Sequence, residues 1–322
     1  MESRNRFTYC ISIGIIILIV LGLADISIGE TGLSDSTVIW KLRLPRILTA
    51  ILAGAAMAVS GAQMQSIFRN PLADPHIMGI SAGSGLGAAI VTISLASIGS
   101  SAISGIGIAS GAFLGAALTS ILTIIAASKI HNGTTLLIFG VMLGFIFSAI
   151  TSIIEYSSNQ ESLKLFYSWS AGSFTGNGIT EIAILASALI IGTLIAIAGN
   201  KGLDIIMFSD EYASMSGADV RKIRMSAMLS SCILTGAVTA FCGPLGFVGI
   251  VSPHIARKLL RSSSNLHVLP TSIVVGGSIS LLADLISQIA GIPLPVGSTI
   301  ALIGIPIILT ILFRGKDNTF EQ

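Results

Sequence analysis

With 52% hydrophobic and only 10% charged side chains over 322 residues, the chain falls far below the roughly 25% charge of an ordinary soluble domain, and its solvent must be lipid. The net charge of +2 and the lack of any stripe of basic residues exclude a nucleic-acid partner. Glycine, 35 of 322 residues, exceeds the usual share of about 7%, as expected where helix backbones must approach closely in the absence of a hydrophobic driving force.

Apolar windows able to cross about 30 Å of hydrocarbon fall at 7–28, 47–68, 77–98, 106–130, 135–154, 179–199, 225–242, 244–260, 268–290 and 296–313. They predict an all-α polytopic membrane protein of about ten transmembrane helices, a single membrane domain over residues 1–322. The first window is too long for a signal-peptide core and is expected to remain as a helix. Pro45 suits the first turn of the second helix, where a missing N–H costs nothing. Arg43 and Arg46 flank it on the outer side, against both the helix dipole and the positive-inside bias. They call for an acidic partner or for lipid phosphates. Asn70-Pro71-Leu72-Ala73-Asp74-Pro75 reads as a tight inner turn, because two prolines forbid helix continuation.

Gly79, Gly83 and Gly87 on the third helix and Gly107, Gly111 and Gly115 on the fourth recur every four residues, a spacing that aligns them on one face for close packing or for lining a pathway. The largest polar breaks are 155–178 and 200–224. Gly243-Pro244-Leu245-Gly246 interrupts helical structure at membrane depth, which is tolerable only where protein or water satisfies the freed backbone, so Gly243, Pro244 and Gly246 are candidates for a translocation path. Asp284 is an intramembrane acid and a functional candidate by default. It lies near the outer end of its helix, where water or a neighbouring helix could satisfy it.

An N-terminus in the cytoplasm places Lys41, Arg43, Arg46 and Lys164 outside and the other thirteen of the 17 basic residues inside. Both termini are therefore expected in the cytoplasm of a cell inner membrane. Trp40 and Trp169 read as interfacial belt residues. Cys232 and Cys242 are ten residues apart on one helix, about 15 Å, too far to bridge. His76 and His254 are not spaced as a ligand pair. No catalytic residue, metal site or cofactor is expected.

Three stretches resemble the permease family that carries ferric siderophores, haem and cobalamin, the FecCD type. The first runs from Leu42-Arg43-Leu44-Pro45-Arg46 through Gly61-Ala62-Gln63-Met64-Gln65 and Asn70-Pro71-Leu72-Ala73-Asp74-Pro75 to Gly79-Ile80-Ser81-Ala82-Gly83. The second is Gly243-Pro244-Leu245-Gly246-Phe247-Val248-Gly249-Ile250-Val251-Ser252-Pro253-His254-Ile255-Ala256-Arg257. The third joins Ala283-Asp284, Leu294-Pro295-Val296-Gly297 and Gly304-Ile305-Pro306. The resemblance implies a type II ABC importer permease fold. It further implies a homodimer with two copies of an ATPase subunit, a periplasmic substrate-binding protein above, and a metal chelate such as an iron siderophore as cargo, with cobalamin or haem as alternatives.

The same resemblance implies roles for particular residues. Arg43 and Arg46 would receive acids of the binding protein. Gln288 stands where relatives often carry a further arginine, so one cation for that docking is missing. The inner break resembles the ATPase coupling loop, with Ser209, Asp210, Glu211, Ala213 and Gly217 as its contacts; Ala213 and Gly217 match small positions, whereas Ser209 and Ser216 depart from the usual glycine and leucine. No Gly-x-x-x-x-Gly-Lys-Ser/Thr phosphate loop occurs in the chain, so ATP must be hydrolysed elsewhere. A secondary transporter is the alternative mechanism, but it would want more buried carboxylates than Asp284 and Glu155.

Overall fold

The computed structural model describes residues 2–27, 36–97, 105–130, 132–289 and 294–314. The regular structure in these stretches is all helical, and every apolar window of the sequence corresponds to one helix. The order is α1 (Glu2–Ser27), α2 (Ser36–Val38), a π-helical turn (Ile39–Arg43), α3 (Leu44–Phe68), a 3₁₀ turn (Pro75–Met78), α4 (Ile80–Ser97), α5 (Gly105–Lys129), α6 (Gly133–Tyr156) and α7 (Gln160–Ser170). Then follow α8 (Ile179–Ala198), α9 (Asn200–Ile206), α10 (Asp210–Met215), α11 (Val220–Cys242), α12 (Val248–Leu260), α13 (Asn265–Ile289) and α14 (Val296–Arg314). Lys316, counted with the inner basic residues, lies outside the described residues.

Polar residues begin the helices as their chemistry directs. The side chains of Asn132, Asn159, Ser209 and Asp219 accept the otherwise orphaned N–H groups at the starts of α6, α7, α10 and α11. Pro45 does sit in the first turn of α3, but the helical rod continues behind it as the π turn. A proline ring clashes with the carbonyl four residues earlier, and the wider π turn gives that carbonyl room.

α3 is the axis of the bundle and is buried along nearly its whole length. Its small residues make this possible. A Cβ on Gly54 would overlap the Gly276 carbonyl of α13, and one on Gly61 would overlap the Gly249 carbonyl of α12. The glycine rows of α4 and α5 face one another: Gly83 opposes Gly115, and Gly87 opposes Gly111. These rows are helix-packing seams, in which dispersion between close backbones replaces the hydrophobic effect.

Two segments break the helical pattern and meet. The 70–79 stretch is a series of turns, ending with Gly79 at φ 75°, and Pro75 packs beside Gly249. After α11, residues 243–247 run without helix until α12 begins at Val248. The imidazole of His76 joins the two, with Nε2 2.7 Å from the Leu245 carbonyl oxygen and Nδ1 bonded to the Ser81 hydroxyl. α12 has 13 residues, about 20 Å at 1.5 Å per residue, and so covers only part of a bilayer. The interruption read from Gly243-Pro244 is a true break between two helices.

Candidate docking and coupling sites

At one end of α3 the three residues singled out for docking converge on a polar corner. Arg46 grips Asp284 of α13 from the side, with Nε 2.9 and 2.8 Å from its two oxygens and Nη2 2.7 Å from Oδ1. Nη2 also donates to Ser287 Oγ at 3.2 Å. Asp284 is fully buried, whereas Arg46 keeps 21% of its side chain exposed. The helix partner that an intramembrane acid requires is thus a fork-shaped guanidinium, which offers charge and two parallel donors together. Gln288 Nε2 donates to Asp25 Oδ1 at 2.9 Å and to Asp284 Oδ2 at 3.4 Å, and Arg43 donates to the Ile26 carbonyl. Asp25 is buried at 1% exposure and its Oδ2 has no hydrogen-bond donor. Sequence reasoning passed over Asp25, although an acid inside the first apolar window was the signal that could have found it.

At the other end of α3 lies the 200–224 element, which holds the two short helices α9 and α10 and runs into the start of α11. Phe208, Tyr212 and Met215 project from it at 70%, 54% and 89% exposure, an apolar face without a covering element. Ser209 caps α10 through a 2.9 Å bond from the Tyr212 N–H. Glu211 is exposed, and its carboxyl is held below its ordinary range by its own backbone N–H, by Ser209 and by the nearby Arg69. Gly217 ends the element at φ 79° with open space around its Cα. Two of the expected surface contacts are engaged by the chain's own packing and charges. Ala213 is fully buried in the chain's own packing, so its small size serves to seat α10 on the bundle. Asp210, 28% exposed, accepts from Arg224 at 2.7 Å and Arg69 at 3.3 Å. A six-residue helix has too few turns for its faces to be assigned from periodicity.

Of the three pathway candidates, Gly243 is closed in: at φ 74°, a Cβ there would overlap the Trp169 carbonyl. Pro244 is half-buried, and Gly246 has open space within 4 Å of where a side chain would go. The cysteines are unpaired. Among the described residues no three His, Cys, Asp or Glu side chains group as metal ligands.

This arrangement, a broken-helix bundle with a polar corner at one end and an exposed amphipathic element at the other, was compared with known proteins. The FecCD transport family model matches residues 7–314. The chain belongs to the FecCD transport family. It is 31% identical to the hemin transport system permease protein HmuU of Yersinia pestis over 99% of both chains. It is 33% identical to the vitamin B12 import system permease protein BtuC of Vibrio cholerae, over 88% of this chain and 85% of that one. A solved ABC transporter of metal-chelate type in an inward-facing conformation superposes with a TM-score of 0.86 at 27% identity, covering 94% of this chain and 98% of that one. As a FecCD permease the chain is a multi-pass membrane subunit of an ABC importer and works with an ATPase and a substrate-binding partner.

Proposed function

We propose that this permease moves a metal-centred chelate, an iron siderophore in the first instance and haem or cobalamin as alternatives, with the energy supplied by ATP hydrolysis on separate subunits. The working unit in this reading is two copies of the chain, two ATPase subunits at the cytoplasmic face and one periplasmic binding protein, in an inner membrane with both chain termini in the cytoplasm. The hemin, vitamin B12 and metal-chelate transporters it resembles support that cargo class.

The observation that carries the reading is the division of labour along α3. The Arg43, Arg46 and Gln288 corner is at one end, and the exposed Phe208, Tyr212 and Met215 face is at the other, close to Arg69. A partly exposed guanidinium already bound to an acid is suited to exchange that acid for one on a docking protein, and a bare apolar face on a short helix is suited to a hydrophobic groove. In this reading Gly217 and Glu211 border the ATPase contact, Ala213 seats it from below, and Gly246 opens onto the path.

The test is reconstitution with candidate ATPase and binding-protein partners in liposomes, followed by ATP-dependent uptake of a ferric siderophore, haem and cobalamin in parallel. Accumulation of one chelate that stops without ATP supports the proposal. ATP-independent uptake driven by an ion gradient would establish a secondary transporter instead.

A further inference from the structure

The inner element consists of helices of 7 and 6 residues, and helices shorter than about 12 residues are marginal on their own in water. Their direction must come from what they are tied to. Leu203, Ile206 and Ala213 form a buried underside, but apolar contact is non-directional and permits sliding. The directional ties are two carboxylates. Asp204 accepts from the Asn265 backbone N–H at 2.8 Å, the Asn265 side-chain amide at 2.7 Å and the Ser264 hydroxyl at 3.0 Å, which fastens α9 to the start of α13. Asp210 divides its oxygens between two helices: Oδ2 accepts from Arg224 of α11, and Oδ1 accepts from Arg69 at the C-cap of α3.

We propose that Asp210 is the joint through which the inner coupling element moves the membrane core, a positioning residue that ties α10 to α11 through Arg224 and to α3 through Arg69. The proposal rests on the reading above that the Phe208, Tyr212 and Met215 face meets an ATPase. A carboxylate with one guanidinium on each oxygen resists both shear and separation, because any movement of α10 against either helix lengthens a charge-assisted bond. The Arg224 side chain is 3% exposed, so that arm is little weakened by salt.

The Arg69 arm reaches further. From Arg69 to Arg46 the α3 axis spans about 35 Å at 1.5 Å per residue, and Arg46 holds Asp284 at the far end. One rigid helix therefore meets the coupling element at its inner end and the polar corner at its outer end. A displacement entering at Asp210 is delivered to the surface where a binding protein docks.

The experiment uses the permease assembled with its ATPase and binding protein in liposomes, and reads ATPase co-purification, hydrolysis rate and chelate taken up per ATP. In Asp210→Asn, co-purification and hydrolysis stay near wild type while uptake per ATP falls about tenfold, inside the 5- to 150-fold range of couplings between sites. Asp210→Asn removes the charge facing a buried guanidinium, so Arg69→Gln, which removes only the 37%-exposed arm, decides the matter if the first variant does not fold. It is expected to lower uptake per ATP by about fivefold, the lower end of that range. Unchanged uptake per ATP in Arg69→Gln, or loss of the ATPase from a folded Asp210→Asn complex, overturns the proposal. Should the wild-type complex take up none of the chelates, the importer reading falls separately. Amide exchange still decides this one: nucleotide changes exchange at residues 65–69 in wild type and leaves it unchanged in Arg69→Gln, and equal responses in both overturn it.

Discussion

Replacement of Asp284 by Asn tests the central ion pair of the polar corner. The carboxylate is fully buried and accepts from Nε and Nη2 of Arg46 and from Nε2 of Gln288, while the same Nη2 also donates to the Ser287 hydroxyl. Removing one member of a buried pair typically costs about 3–5 kcal/mol because the other charge is left uncompensated. Arg46 is 21% exposed and can turn toward water, and the new amide oxygen still accepts one bond, so the expected loss falls just below that range, about 2–3 kcal/mol. Arg46→Gln alone should cost a similar amount, because it strands Asp284. The double variant should cost less than the sum, with an interaction energy of at least about 1 kcal/mol between sites in direct contact. Reversible unfolding in mixed micelles measures all three. Additivity within about 0.5 kcal/mol would refute the claim that this pair ties α3 to α13.

Gly61→Ala drives a methyl into the Gly249 carbonyl and should destabilise the α3–α12 contact by about 1–3 kcal/mol, read in the same unfolding assay. Met215→Asp, at an 89%-exposed position, should leave the fold intact and reduce ATPase co-purification, and undiminished co-purification would remove this face from the contact. The carboxyls of Glu211 and Asp219 sit below their ordinary values of 4.5 and 3.8, each held down first by a backbone N–H. A depressed folded value means that their contribution is present above those values and is lost as pH falls through the lower folded ones. Amides at the starts of α10 and α11 should therefore exchange faster, relative to the intrinsic rate, only below about pH 4. Ser263→Cys, in the turn between α12 and α13, should resist an impermeant thiol reagent applied outside intact cells, and labelling there would invert the proposed topology.

Much of this protein was legible in one dimension. Each apolar window became a helix because a segment crossing lipid must be long, apolar and internally hydrogen-bonded, which leaves its mark residue by residue. The Gly243-Pro244 break was visible for the same reason, since two glycines and a proline within four residues disfavour helix where a lone proline, such as Pro306 of α14, does not interrupt it. Arg46 and Asp284 were each conspicuous as charges in apolar surroundings, yet nothing linear joins residues 238 positions apart.

The sequence by itself determined the solvent, the order of the ten apolar helices, and the family, because hydropathy and short motifs are local properties. The tertiary structure alone decided which charges meet. Asp25 joins the polar corner, His76 pins the two broken segments together, and Asp210 meets Arg69 and Arg224. The physical reason is that a charge in a low-dielectric interior must be compensated by whatever the packing brings beside it, and in this bundle the packing is set by the glycines and alanines that let α3 lie against α11, α12 and α13.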